Sequence, residues 1–200
     1  MTPLLTLSRV IDNISTFVGK STMWLILATT LISAGNAIVR KAFDMSSNGL
    51  LEIQWYLFAV VFMLGAGFGF LKNSHVRIDF ISNRLTDRTR NWIDLLGIVL
   101  VLFPFCILMV VLSWPVFVSA YNNGEMSQNA GGLIRWPAYL LVPVGFALLM
   151  MQGVSELIKR IAFLRGLIED PIGEETGKSD DQKKIDAFEK IAAARLAGDK

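Results

Sequence analysis

Four long apolar runs, separated by short polar stretches, set the pattern of this chain: Ser21 to Val39, Glu52 to Leu71, Leu95 to Gly124 and Trp136 to Ser155. The second is the cleanest. Glu52 opens it, nineteen uncharged residues follow, and charge returns at once in Lys72-Asn73-Ser74-His75-Val76-Arg77-Ile78-Asp79. About 20 residues at ~1.5 Å rise cross a hydrocarbon core of roughly 30 Å. A helix does so with every backbone polar group paired internally. A soluble bundle would need a polar stripe along each helix, and these runs have none. The pattern predicts an all-α integral membrane protein with four transmembrane helices, at about 21–40, 52–71, 95–121 and 136–156.

The flanking segments add detail. In residues 1–20, Leu4, Leu7, Ile11, Ile14 and Val18 recur at helical spacing around Arg9, Asp12 and Asn13. This predicts an amphipathic interfacial helix lying along the membrane surface. Between Asn73 and Asn91, Val76, Ile78, Phe80, Ile81 and Leu85 alternate with Arg77, Asp79, Asn83 and Arg84, which predicts a second interfacial turn. Thr86 is placed to cap the third span. That span exceeds one membrane-normal helix and holds Pro104 and Pro115, so it is expected to tilt, kink near a proline or emerge on one side. Trp24, Trp92 and Trp136 fall near span ends, where an indole is half wet. Residues 169–200 form a polar C-terminal tail with too few apolar positions for a core.

Composition agrees, with 53% hydrophobic and 18% charged residues. The net charge of +2 hides an asymmetry: residues 1–168 carry 13 Lys/Arg against 8 Asp/Glu, and the tail 6 against 9. Neither half is a nucleic-acid surface. Ten basic residues near the membrane (Arg9, Lys20, Lys72, Arg77, Arg84, Arg88, Arg90, Lys159, Arg160, Arg165) share one predicted side, against Arg40, Lys41 and Arg135 on the other. The positive-inside rule then puts both termini in the cytoplasm. The first apolar stretch is too short for a cleavable signal peptide. The single cysteine, Cys106, lies inside the third span and predicts neither a disulfide nor a Cys-based metal site.

The span interiors hold no Asp, Glu, Lys, Arg or His. Intramembrane charge marks proton and ion paths, so this chain is not expected to move ions by itself. One histidine cannot supply a paired haem ligation, and His75 sits at a span end, away from any intramembrane serine. No catalytic residue, cofactor or metal is expected. Gly65-x-Gly67-x-Gly69 lies within an apolar helix and reads as a Gly65–Gly69 packing face. Two readings of Glu52 stand: a favourable charge at a helix N-terminus, or a polar contact with a partner. His75, Arg77 and Asp79 are likewise either a wet turn, with Arg77 snorkelling, or a contact cluster. Asn36, Gln54, Ser113 and Gln152 can hydrogen-bond between helices at about 1 kcal/mol each.

In context the residues point further. An acidic residue before an aromatic-rich second span, a small-residue stripe, then basic-x-x-His-Val-Arg-x-Asp resembles the small, DctQ-type membrane subunit of tripartite ATP-independent periplasmic (TRAP) transporters. The matching positions are Glu52, Gly65, Lys72, His75, Val76, Arg77 and Asp79, with Arg40 and Phe43 similar to the end of that family's first span. Lys41 departs from the aromatic residue usual there. Pro104-Phe105-Cys106, Ser113-Trp114-Pro115, Gly131-Gly132-Leu133 and Leu141-Val142-Pro143 resemble the subgroup labelled for mannitol or chloroaromatic compounds. The resemblance covers roughly residues 5–165.

It implies a bacterial inner-membrane location and two partners besides the lipid bilayer. A periplasmic substrate-binding protein would capture an organic acid, and a large multi-span subunit would carry it with sodium as an elevator. The small subunit would brace that scaffold and help dock the binding protein, with Glu52, Gly65, Gly69, His75, Arg77 and Asp79 as subunit-contact or structural candidates and no catalytic residue. The alternative is a free-standing four-span structural or assembly protein that self-associates through Gly65 and Gly69.

Overall fold

A computed structural model describes residues 2–44, 47–73 and 86–168. Its helices are α1 (Thr2–Phe43), α2 (Asn48–Leu71), α3 (Asp87–Gly97), a π turn (Ile98–Leu102), α4 (Phe103–Asn122) and α5 (Trp136–Leu164). The third span is α3, the π turn and α4 in one run, Asp87–Asn122, so four helices are long and apolar enough to cross a membrane. The interfacial segment, from Thr2, and the first span, separate in the sequence reading, join in one helix. At ~1.5 Å per residue, its 42 residues reach about 63 Å, twice a hydrocarbon core.

α5 is the hub. It packs on α1, α2 and the whole third span, and α1 and α2 lie against each other. The interior is the reverse of a soluble core. Among the described residues the buried apolar side chains are Ile11, Leu71, Ile98, Cys106, Ala120, Pro143 and Ala162, fewer than the twelve buried polar ones. Leu4, Leu7 and Ile14 face outward, and Phe17, Trp24 and Phe62 are each more than 70% exposed. Lipid solvates apolar side chains as well as a core does, so small and polar residues take the helix contacts. The inward face of α1 shows this as a repeat. Ser8, Ser15, Thr22, Thr29 and Asn36, all buried, stand seven residues apart, the period of left-handed helix packing.

Glycines set the closest approaches. A Cβ on Gly145 of α5 would lie 2.8 Å from Met63 Cβ and 2.9 Å from Met63 O on α2. One on Gly19 of α1 would lie 2.2 Å from Phe68 Cγ, making Gly19 the socket for that ring.

In the third span the helical register changes at Pro104. Pro104 has no N–H to give Leu100 and its ring crowds the preceding turn. Just before it the chain widens to a π turn, and Phe103 N–H bonds to Ile98 O. Such local adjustments re-pair a membrane helix around proline. Thr86 caps α3 as expected, its Oγ1 accepting from Thr89 N–H at 3.3 Å.

Candidate functional site

Besides the small polar residues at the helix contacts, polar side chains form two clusters, one at each end of the bundle. At one end, the connection between α4 and α5 folds back on the start of α2. Met126 and Ile134 pair as an antiparallel bridge, and Gly131 turns the loop at φ +71°. Glu52, in the first turns of α2 and 4% exposed, reaches into this loop. Its Oε1 accepts from the Ser127 hydroxyl and from Asn129 Nδ2 at 2.8 Å, and its Oε2 accepts from Leu133 N–H at 2.6 Å. Asn48 Nδ2 donates to Ala130 O at 3.0 Å, and Tyr56 hydroxyl donates to Ile134 O at 3.0 Å. Three side chains of α2 thus hold the loop at five residues along it.

Gly132 makes the clamp possible. A Cβ there would sit 2.5 Å from Ser127 Cβ and 2.9 Å from Glu52 Oε1. Beside the clamp, Arg135 donates to Glu125 Oε1 at 3.1 Å, and this bond raises the guanidinium pKa above its ordinary value. Tyr121 and Trp136 meet edge to face at 5.5 Å, fastening the end of α4 to the start of α5.

The opposite end holds a buried ionic cluster. On α5, Gln152, Ser155, Glu156 and Arg160 are all buried. Ser15 Oγ donates to Gln152 Oε1 at 2.6 Å, and Gln152 Nε2 donates to Asp12 Oδ1 at 2.9 Å. Ser155 Oγ also donates to Asp12 Oδ1 at 2.6 Å and shares a 2.7 Å contact with Ser8 Oγ. Lys159 bridges Asp12, at 3.3 Å, and Glu156. Arg160 pairs with Glu156 at 2.9 Å and with Asp94 of α3 at 3.3 Å. Three acids and two bases on three elements neutralise most of one another, as buried charge requires. They lie on the last turns of α5, in the first part of α1 and in α3, outside the apolar runs. Chemically, both ends hold helices and a loop in register.

The residues singled out in the sequence fall unequally on this frame. Glu52 is the centre of the loop clamp. A Cβ on Gly65 would stand 3.9 Å from Thr22 Oγ1 of α1, an ordinary contact, whereas one on Gly69 would meet nothing within 4 Å. His75, Arg77 and Asp79, with the interfacial turn expected around them and the tail from residue 169, lie outside the described residues. Gln54 and Gln152 do bond between helices, Gln54 Oε1 accepting from Ser33 Oγ at 2.8 Å. Ser113 instead donates to Met109 O on its own helix, at 2.5 Å.

Sequence reasoning missed the cluster. Lys159 and Arg160 entered it as surface charge, whereas both pair with Glu156 on their own helix and with an acid far away in the chain, Asp12 or Asp94. The i, i+4 spacing of Glu156 and Arg160 was one available signal. The heptad on α1 was another.

Comparison with known proteins gives this frame a place. The chain is 31% identical over 149 residues to the C4-dicarboxylate TRAP transporter small permease protein DctQ of Vibrio cholerae serotype O1 (strain ATCC 39315 / El Tor Inaba N16961). The alignment takes in 62% of this chain and 62% of that protein, so the chain spans under two thirds of the relative's length. A family profile described as "Tripartite ATP-independent periplasmic transporters, DctQ component" matches residues 29–163, which run from the first span to the last turn of α5. With two thirds of its length inside that match, the chain belongs to the DctQ component family of the tripartite ATP-independent periplasmic transporters.

Proposed function

We propose that this chain is the small, non-catalytic membrane subunit of a TRAP-type secondary transporter for organic-acid uptake. It braces the large transport subunit in the inner membrane and helps dock the periplasmic binding protein. One observation carries the reading. Between the Glu52 clamp and the Asp12–Arg160 cluster, the described interior holds no carboxylate, amine, guanidinium or imidazole. Thr22, Gly67, Met63 and Gly145 fill it instead. Ionisable groups in the bilayer's middle layer are the usual mark of a path for an ionised substrate or its coupling ion. A rigid bundle with polar fastenings at both ends suits a brace.

With both termini cytoplasmic, as the basic residues indicate, the 123–135 connection faces the periplasm and the ionic cluster faces the cytoplasm. The clamp then presents a fixed loop, with Met126 more than half exposed, on the side where the binding protein arrives. His75, Arg77 and Asp79, with Gly69, are assigned to contact with the large subunit. The relative's name gives a C4-dicarboxylate as the first substrate to try. Uptake of a labelled dicarboxylate should stop when the chain is deleted and return on complementation, with the binding protein present throughout. Normal uptake without the chain would refute the proposal.

A further inference from the structure

Two places in the chain set an asparagine directly before a glycine, Asn48-Gly49 and Asn123-Gly124. A backbone nitrogen with no Cβ beside it can come close to the amide carbon of the preceding side chain. The fold holds the two pairs in opposite ways. Asn48 and Gly49 open α2, with Asn48 Nδ2 tied to Ala130 O at 3.0 Å. Ser47 caps them, its Oγ accepting from Leu50 N–H at 3.4 Å and its carbonyl from Leu51 N–H at 3.3 Å. A Cβ on Gly49 would lie 3.1 Å from Gly131 O, so the pair is wedged against the clamped connection. Swinging Gly49 N over the Asn48 amide would unwind this turn and lift the connection off α2.

Asn123 stands at the close of α4, where Tyr121, Asn122, Asn123 and Gly124 are all exposed. Gly124 turns the chain at φ +58°, and a Cβ there would meet nothing within 4 Å. Asn123 has ψ −5°, so its Cα–C bond must rotate to bring Gly124 N to the side-chain Cγ. What resists is the end of one helix. Gly124 N–H bonds to Tyr121 O at 3.3 Å and Glu125 N–H to Ala120 O at 3.0 Å. The side chain is held by one bond in reach of water, from Asn123 Nδ2 to Ser119 Oγ at 3.2 Å. Helix ends of this kind open locally at little cost, whereas packed turns do not.

We infer that Asn123 is a self-modification site, converted without an enzyme to aspartate and isoaspartate. A solvent base takes the Gly124 N–H proton, the nitrogen bonds to Asn123 Cγ, and the Cγ–Nδ2 bond breaks with release of ammonia. Water then opens the cyclic imide. Cleavage of the new Cγ–N bond leaves aspartate. Cleavage of the original backbone C–N bond leaves isoaspartate, whose main chain runs through Cβ and Cγ. Either product carries a carboxylate. From Asn122 to Arg135 the charged residues are Glu125 and Arg135, which pair, so the conversion gives a neutral connection a net negative charge. The site is a property of this chain alone, independent of the transporter reading.

The full-length chain in mild detergent, held at mildly alkaline pH, would be sampled over time and digested. Mass spectrometry with separation of the asparagine, aspartate and isoaspartate forms then follows both pairs in one sample. Asn123 should convert roughly tenfold or more faster than Asn48, equivalent to about 1.4 kcal/mol of easier local opening, with both acid forms appearing. Unfolding the chain before incubation should bring the two rates together. Gly124→Asn keeps a residue that tolerates the left-handed turn and adds a side chain beside the attacking nitrogen. It should slow the conversion of Asn123 and leave Asn48 unchanged. An Asn123 amide that lasts as long as that of Asn48 in the folded chain, or one indifferent to Gly124→Asn, would overturn the site. Aspartate without isoaspartate would overturn the imide route.

Discussion

Replacing Gln152 with leucine tests whether polar fastening holds this bundle together. Gln152 is fully buried and ties α5 to α1 twice, by the 2.6 Å bond from Ser15 and the 2.9 Å bond to Asp12. Leucine nearly preserves volume, so the change removes hydrogen bonds without opening much of a cavity. A neutral hydrogen bond contributes about 0.5–1.5 kcal/mol and one to a charged partner about 1.5–3. Cycles within membrane bundles run lower, averaging about 0.6 and reaching about 1.7 kcal/mol. Asp12 keeps 24% of its side chain exposed, so water replaces part of what it loses. The expected cost of Gln152→Leu is therefore about 1–3 kcal/mol. At about 2–4 °C per kcal/mol for a chain of this size, that is a visible fall in melting temperature. Tryptophan fluorescence of the full chain in mild detergent would follow it. A double-mutant cycle with Ser15→Ala isolates the direct bond, and a coupling of about 0.5–1.5 kcal/mol is expected. Strict additivity, or a stabilising Gln152→Leu, would refute the reasoning.

Three further outcomes follow from the geometry. Gly145→Leu should destabilise by at least the about 1–3 kcal/mol typical of overpacking, because its new atoms meet the Met63 backbone, which cannot rotate away. Gly69→Leu should leave the isolated chain's melting unchanged and weaken only a contact with another chain; a large fall in melting would contradict the open space at that residue. Glu52→Gln should loosen the 123–135 connection, since an amide cannot accept from Ser127, Asn129 and Leu133 together. With Cys106→Ala as background, Ala130→Cys should then react faster with an impermeant maleimide, and an unaltered rate would count against the clamp.

What could be read from the sequence was whatever depends on neighbours along the chain. Span number follows from uninterrupted apolar length, and the Thr86 cap from its place before Asp87. The π turn is foreshadowed by Pro104, though nothing local tells whether a proline will kink a helix or widen it. The clamp and the ionic cluster resisted reading because their partners lie far apart: Glu52 and Leu133 by 81 residues, Ser15 and Gln152 by 137. Membrane helices also invert the usual cue. A scan for apolar stripes finds Leu4, Leu7 and Ile14, which face outward, and passes over Ser8, Ser15 and Thr22, which pack. Gly131-Gly132 was noticed as a motif, but its reason, a left-handed turn beside a carboxylate with no room for a Cβ, needed coordinates.

The central claim is that this bundle braces a larger transport protein, and copurification tests it most directly. The chain would carry an affinity tag after Lys200, be extracted from native membranes in mild detergent, and its partners be identified by mass spectrometry. The account predicts a roughly equimolar large multi-span protein, depleted when Gly69 is replaced by leucine. Recovery of this chain alone or as a homo-oligomer, under conditions that preserve other membrane complexes, would contradict it.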